Sequence, residues 1–271
     1  MAAGRRIWFN VVSLEVQHLF EAPGVVRLIL SNPHVNATSI ADLGSPADAI
    51  KGISKDDRVA VLSAIGNGFS AGGDLKEMDQ LDGYEGIFGQ CLESARACTA
   101  ISRCDVPVIV VVHDYYLGVD IELVGSADIA VANEAALFQW TEIDNGTVGG
   151  AAQDFRMLPP QFLRHLMFTA EPITAQDLWN RGALTEDLTL AKLEERAQEI
   201  AQIIANKSPN LVRHLEASMD AIEAFDVEKA MRFEQGYIFQ LNMEGSGSAA
   251  RTAFLEGTRK GLQRKSTSPD T

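Results

Sequence analysis

Positive charge is scarce in this chain of 271 residues: 23 Lys and Arg stand against 37 Asp and Glu, a formal net charge of −14. Such a surface repels phosphate backbones, so no nucleic-acid partner is expected. Cysteine is scarce too. Cys91, Cys98 and Cys104 crowd into one stretch with no CxxC spacing and no nearby His pair, which predicts neither a metal site nor a disulfide framework. A reduced, cytoplasmic protein is the expectation. Long hydrophobic runs are missing: no segment reaches the roughly 20 apolar residues that cross a bilayer. The stretch from Met1 to Val12 has two arginines but no long apolar run and no small-residue cleavage site. The sequence thus predicts a soluble, unprocessed protein with no membrane partner. An apolar content of 46% excludes a disordered or collagen-like chain, and the length allows one large core or two smaller ones.

What is present is an α/β rhythm. Short apolar, β-branched runs at Gly24 to Leu30, Arg58 to Ala64, Val106 to Val112 and Asp128 to Ala132 alternate with helical patterns. Helices are predicted from about Thr38 to Ile50 and from about Tyr84 to Ser102. In the second, Ile87, Cys91, Ala95, Cys98 and Ile101 recur at three- and four-residue spacing, so the cysteines read as part of a buried face. From about Pro160 to Leu262 strand signals disappear, and Leu190 to Ala205 and Pro209 to Ala224 carry helical periodicity. The tail from Arg264 to Thr271 is polar and expected to fray. No sequence repeat is legible.

Two strand-to-helix junctions hold the chemically suggestive residues. The first, Gly66 to Met78, contains Phe69-Ser-Ala-Gly-Gly-Asp-Leu-Lys-Glu-Met78 directly after an apolar run. Glycines there let backbone N–H groups approach a ligand, while the plainer reading is a turn in which Asp74 caps the next helix. The second runs from Pro107 through His113 to Leu123. A helix starting near Val119 would offer free N–H groups and its positive dipole end to an oxygen that gains charge. Glu122 and Glu142 sit among apolar or small neighbours, where a carboxyl can have a raised pKa and act as acid or base; taken alone, the plainer reading of each is a solvated or arginine-paired glutamate.

Together these motifs resemble the crotonase (enoyl-CoA hydratase/isomerase) superfamily from about Leu14 to Gly261. Asn32-Pro-His-Val-Asn-Ala37 is similar to its early turn, Phe69 to Met78 to its first oxyanion-loop motif, and Phe254-Leu-Glu256 to its C-terminal Phe-x-Glu-Lys-Arg element. Asp105 to Val112, Ser126 to Val131 and Ala136 to Phe138 follow in register. The resemblance implies an α/β spiral of repeated ββα units over residues 1–195 and a helical trimerisation region over 196–271. It implies a homotrimer or a dimer of trimers, with an acyl-CoA thioester as partner. No cofactor is permanently bound; coenzyme A arrives as part of the substrate. Glu122 and Glu142 fall on the two catalytic glutamates of family hydratases, and the backbone N–H groups of Gly73 and Val119 on the oxyanion hole. Ala71, Asp74, Lys76 and Phe254 fall at coenzyme A-binding positions.

Departures from the family pattern cluster at the second junction. Val119 and Asp120 replace glycines, and Tyr116 replaces a small residue. A β-branched residue would be strained if φ at Val119 were positive. A carboxylate at Asp120 beside a developing enolate would oppose it, so it either points elsewhere or alters the chemistry. The loop after Glu142 keeps its glycines and lacks the usual proline. Tyr116, Asp120, Trp140 and Phe155 are candidates for the acyl pocket, and Glu234 is read as an extra acid or a helix-surface glutamate. The leading expectation is an enoyl-CoA hydratase or isomerase. Less secure likenesses at Leu158 to Thr169 and Glu234 to Asn242 point to superfamily hydrolases that open the ring of cyclic β-diketone acyl-CoA thioesters. A non-catalytic acyl-CoA-binding relative is the third reading.

Overall fold

The computed structural model describes residues 14–18, 22–32, 35–81, 83–223 and 227–258. The expectations for Met1 to Val12, for Pro33 and His34 of the early turn and for the tail from Arg264 lie outside these residues. Elements run in the order β1 (Leu14–His18), β2 (Val25–Leu30), α1 (Ile40–Ile50), β3 (Val59–Ala64), α2 (Leu75–Gln80), α3 (Gly83–Ser102), β4 (Val108–Val112), β5 (Tyr115–Leu117), α4 (Ile121–Ser126) and β6 (Ile129–Asn133). Then come β7 (Leu137–Gln139), α5 (Ala151–Met157), α6 (Pro160–Thr169), β8 (Ile173–Thr174), α7 (Ala175–Trp179), β9 (Glu186–Leu188), α8 (Leu190–Ala205), α9 (Pro209–Ile222), α10 (Val227–Met243) and α11 (Ser246–Leu255).

Two sheets form. The larger has the order β1-β2-β3-β4-β6-β9 and is parallel except for β1 against β2; the smaller is β5-β7-β8. Strands β3 and β4 are covered on both faces, which is why they read as unbroken apolar runs rather than alternating ones. On one face Val61 aligns with Ile109, and α8 lays Leu193, Ala197, Ala201 and Ala205, spaced by one turn each, across Val59, Val61, Ile109 and Val131. The small stripe lets helix and sheet approach closely. On the other face Leu62 and Val110 join the main core with Tyr116, Ile121 and Phe138.

The N-terminus of α1 is fixed by a Ser39–Asp42 capping box. Its internal Pro46 has no N–H to donate, and the Ser45 hydroxyl bonds the Asp42 carbonyl instead (2.7 Å).

One expectation needs correction. Strand signals do not end at Pro160: β8 and β9 follow, but two and three residues are too few to show a period. Helix α8, within which residues 195 and 196 lie, runs unbroken to Ala205 and packs against the large sheet. No helix among the described residues is long and apolar enough to cross a membrane.

Candidate active site

The smaller sheet is extended at its edge by two single-residue bridges, Ser70 with Tyr116 and Thr38 with Gly73, and these seat the two glycine-bearing loops side by side. Asn36 holds the first loop by donating through Nδ2 to the carbonyls of Ile65 (2.7 Å) and Gly68 (2.8 Å). Thr38 N–H bonds Gly72 O (2.9 Å) and Asp74 N–H bonds Thr38 O (2.8 Å). The pairing therefore runs through the neighbours of Gly73, whose own N–H points away from the bridge. Gly72 has φ +84°, and a Cβ there would meet the Leu117 carbonyl at 2.7 Å, so only glycine permits this approach. In the second loop the left-handed residue is Gly118 (φ +66°) and not Val119, so the β-branched side chain carries no such strain. Val119 lies in a 3-10 turn over Gly118–Asp120 ahead of α4, where the first N–H groups lack intrahelical partners. Both Gly73 and Val119 line a cavity of about 290 Å³.

Three glutamates line that cavity, and apolar surroundings set their protonation. Glu122, on α4, is 5% exposed; burial pushes its carboxyl well above the usual range, and the nearby carboxyls of Glu234, Asp154 and Glu142 reinforce the effect. Ser94 Oγ donates to its Oε2 (2.5 Å), while Oε1 faces Gly149 and Gly150. Glu142 follows β7. Burial raises its pKa to about 7, with Asp120 and Glu234 adding to the shift, and its Oε2 has no hydrogen-bond partner. Its Oε1 lies against Gly118, where a Cβ would stand 3.5 Å away. Glu234, reaching over from α10, accepts from the N–H groups of Ala151 (3.1 Å) and Ala152 (3.2 Å) at the start of α5, and burial raises its pKa. One wall thus presents backbone donors; the others present carboxyls that favour the neutral form. Such a site suits polarising a carbonyl while moving protons around it.

The enoyl-CoA hydratase/isomerase family model matches residues 21–262. The chain belongs to this family. Its relatives include the (7aS)-7a-methyl-1,5-dioxo-2,3,5,6,7,7a-hexahydro-1H-indene-carboxyl-CoA hydrolase of Rhodococcus jostii, 36% identical over 87% of this chain and 92% of that protein. The Mycobacterium tuberculosis protein of the same name is 34% identical over 86% of this chain and 96% of its own length. Among solved structures, an enoyl-CoA hydratase from Mycobacterium avium subsp. paratuberculosis superposes with a TM-score of 0.80 at 19% identity, covering 91% of this chain and all of that one. This is a crotonase-type acyl-CoA enzyme with the crotonase fold.

Of the positions matched to the crotonase pattern, Gly73, Val119, Glu122, Glu142, Ala71 and Phe254 line the one cavity. Asp74 and Lys76 do not. Asp74 caps α2 by accepting from the N–H groups of Lys76 and Glu77, and Lys76 is exposed. The candidates for the acyl pocket are likewise displaced. Tyr116 is fully buried between Phe69 and Phe138, with ring centroids at 4.6 and 5.8 Å, and its hydroxyl donates to the Asp120 carbonyl. Trp140 is 1% exposed and donates through Nε1 to Asp154 Oδ2. Phe155 packs on the main core. Asp120 turns inward, away from the cavity, and accepts hydrogen bonds from the hydroxyls of Thr38 (3.0 Å to Oδ2) and Ser70; burial raises its pKa to about 6. Of the side chains that replace small family residues at this junction, Tyr116 and Asp120 therefore fill the core beneath the site, while Val119 stays in the cavity wall beside Gly73.

Ser94 escapes sequence reasoning, as do Met231 and Ile238, which line the cavity beside Glu234 on α10. Ser94 shares the buried face of α3 with Cys91 and Cys98, and only the position of Glu122 gives it significance. The cysteines are the packing residues their spacing predicts: burial pushes the Cys91 thiol up to about 12, which leaves it unreactive. Glu234 is a cavity acid rather than a helix-surface glutamate, because α10 folds back over α3.

Proposed function

We propose that this protein hydrolyses a ring carbon–carbon bond in a cyclic β-diketone acyl-CoA thioester, opening the ring. The observation that carries the reading is the placing of two glutamates in one cavity: Glu142 has an unpartnered Oε2 and burial raises its carboxyl to about 7, while burial pushes the Ser94-bonded Glu122 well above the usual range and favours its neutral form. A base and an acid thus coexist at neutral pH in one cavity. The N–H groups of Gly73 and Val119 hold the thioester oxygen. Glu142 takes a proton from water as the hydroxyl adds to the ring ketone. The bond from that carbon to the ring neighbour that is conjugated with the thioester carbonyl breaks, the electron pair runs into the thioester as an enolate, and Glu122 protonates the carbanionic carbon. One end leaves as a carboxylic acid with the thioester intact. Loss of one oxyanion donor would cost about 3 kcal/mol of transition-state stabilisation. Two relatives that share 34 to 36% identity along nearly their full lengths are named as hydrolases of a bicyclic dioxo-acyl-CoA, which favours this reaction over hydration.

Simple hydration of an enoyl-CoA is the second reading, favoured by retention of both family glutamates around one cavity. Mass spectrometry of products from a cyclic β-diketone acyl-CoA and from crotonyl-CoA separates them. Ring opening yields a thioester heavier by one water, with a new carboxylate, from the diketone alone. Coenzyme A enters only as part of the substrate, with Ala71 and Phe254 along its path.

The same reading includes a homotrimer. Leu211, Leu215 and Ile222 form an exposed apolar stripe on α9, at 70, 61 and 78% exposure, and a neighbouring subunit would cover it. Light scattering of the purified protein measures the subunit number.

A further inference from the structure

Arg251, on α11, lines the same cavity and is 6% exposed. Among the described lining residues it is the sole cation. It forms no ion pair with any described residue, and its Nε has no hydrogen-bond partner. A guanidinium buried without a counter-ion is strongly unfavourable, and removing it would be the simpler solution if nothing used it. The cavity glutamates do not neutralise it: burial dominates at Glu122, Glu142 and Glu234, joined by other carboxyls at the first two and by the N–H groups of Ala151 and Ala152 at Glu234, with no guanidinium acting on any of them.

Its position indicates what it serves. The space beside Gly247, one turn earlier, is bounded by Arg251 Nη1 at 3.0 Å and by the Gly146 carbonyl oxygen at 3.8 Å. The guanidinium therefore lies toward the turn at Gly146 that follows Glu142, and α11 itself packs against both that turn and α2. We propose that Arg251 binds a carboxylate on the acyl portion, remote from the thioester. Resting on the function proposed above, this is the carboxylate that ring opening creates: water adds to the ketone carbon, the ring bond breaks with its electron pair going to the thioester enolate, and the acid so formed ionises against the guanidinium. The planar fork of arginine matches a carboxylate in two parallel hydrogen bonds.

Calorimetric titration of the full chain with glutaryl-CoA, butyryl-CoA and free coenzyme A tests this without turnover. Wild type binds glutaryl-CoA at least about tenfold more tightly than butyryl-CoA. Arg251→Gln removes that preference and binds butyryl-CoA and coenzyme A as before, which also shows that it folds. Arg251→Lys, which keeps the charge and packing but loses the fork, retains part of the preference and serves as the readout if the glutamine variant does not fold. Absence of the preference in wild type overturns the proposal. So does an equal loss for all three ligands, which would assign the guanidinium to the phosphates of coenzyme A. If the preference is present but cyclic β-diketone thioesters are not opened, the reading of the reaction fails while the carboxylate site stands.

Discussion

The Ser70 hydroxyl donates a hydrogen bond to the buried carboxylate of Asp120, fifty positions away in the chain. Ser70 stands three residues before Gly73 and Asp120 directly after Val119, so this contact sets the distance between the two proposed oxyanion donors. Thr38, whose backbone bridges Gly73, donates to the same carboxylate (3.0 Å). Replacing Asp120 by Asn presents an amide donor to hydroxyls that now donate. The expected result is a fall in kcat of about tenfold with little change in KM, since acyl-CoA contacts are retained. Steady-state kinetics check it, and urea unfolding should show a loss of about 1–3 kcal/mol.

Glu142 governs the acid limb of activity. Its base form gathers as pH rises through about 7, so kcat/KM should increase over that range and level off above it. The stability consequence has the opposite sign. Burial raises the pKa from 4.5 in the unfolded chain to about 7, so the folded state holds the proton more tightly, and stability falls as pH climbs between those values. Glu142→Gln carries no such penalty. It should exceed wild type by on the order of 3 kcal/mol at about pH 8 and match it near about pH 4, measured by chemical denaturation, while activity is lost.

Glu122 should behave differently, because burial pushes its carboxyl well above the usual range and so favours the neutral form. Glu122→Gln keeps the shape and the acceptor for Ser94 but has no proton to give. Activity should drop by about 10²–10⁴-fold with no loss of thermal stability. A large fall in Tm would mean that Glu122 is ionised in the folded protein.

Much of this architecture is legible before any coordinates. The apolar runs β2, β3, β4 and β6 and the helices α3 and α8 are announced by their periods, because burial on both faces or on one stripe dictates residue type. The glycine loop is legible as a motif. What escapes is held by contacts between distant segments. Ser70 with Asp120, Glu234 with Ala151 and Ser94 with Glu122 leave no local period, and single-residue bridges such as Thr38 with Gly73 leave no strand pattern. Tyr116 and Trp140 are misplaced by sequence reasoning for the same reason: an aromatic residue near a site motif looks alike whether it faces the cavity or the core beneath it.

Gly118 is the point where both loops and Glu142 converge. A Cβ there would stand 3.1 Å from Thr141 Oγ1 and 3.5 Å from Glu142 Oε1, at a φ of +66° that an L side chain resists. Gly118→Ala should lower stability by about 1–2 kcal/mol and reduce kcat by displacing the Glu142 carboxyl. Thermal unfolding and single-turnover rates check the two effects separately.

The central claim is that water ends in a new carboxylate and not in a hydroxyl on the acyl chain. Incubation with a cyclic β-diketone acyl-CoA in heavy-oxygen water, followed by fragmentation mass spectrometry, reads this directly. The account predicts one labelled oxygen in the remote carboxylate, an unlabelled intact thioester, and no product with Glu142→Gln. Label found only as a hydroxyl on crotonyl-CoA, with the diketone recovered unchanged, would contradict it.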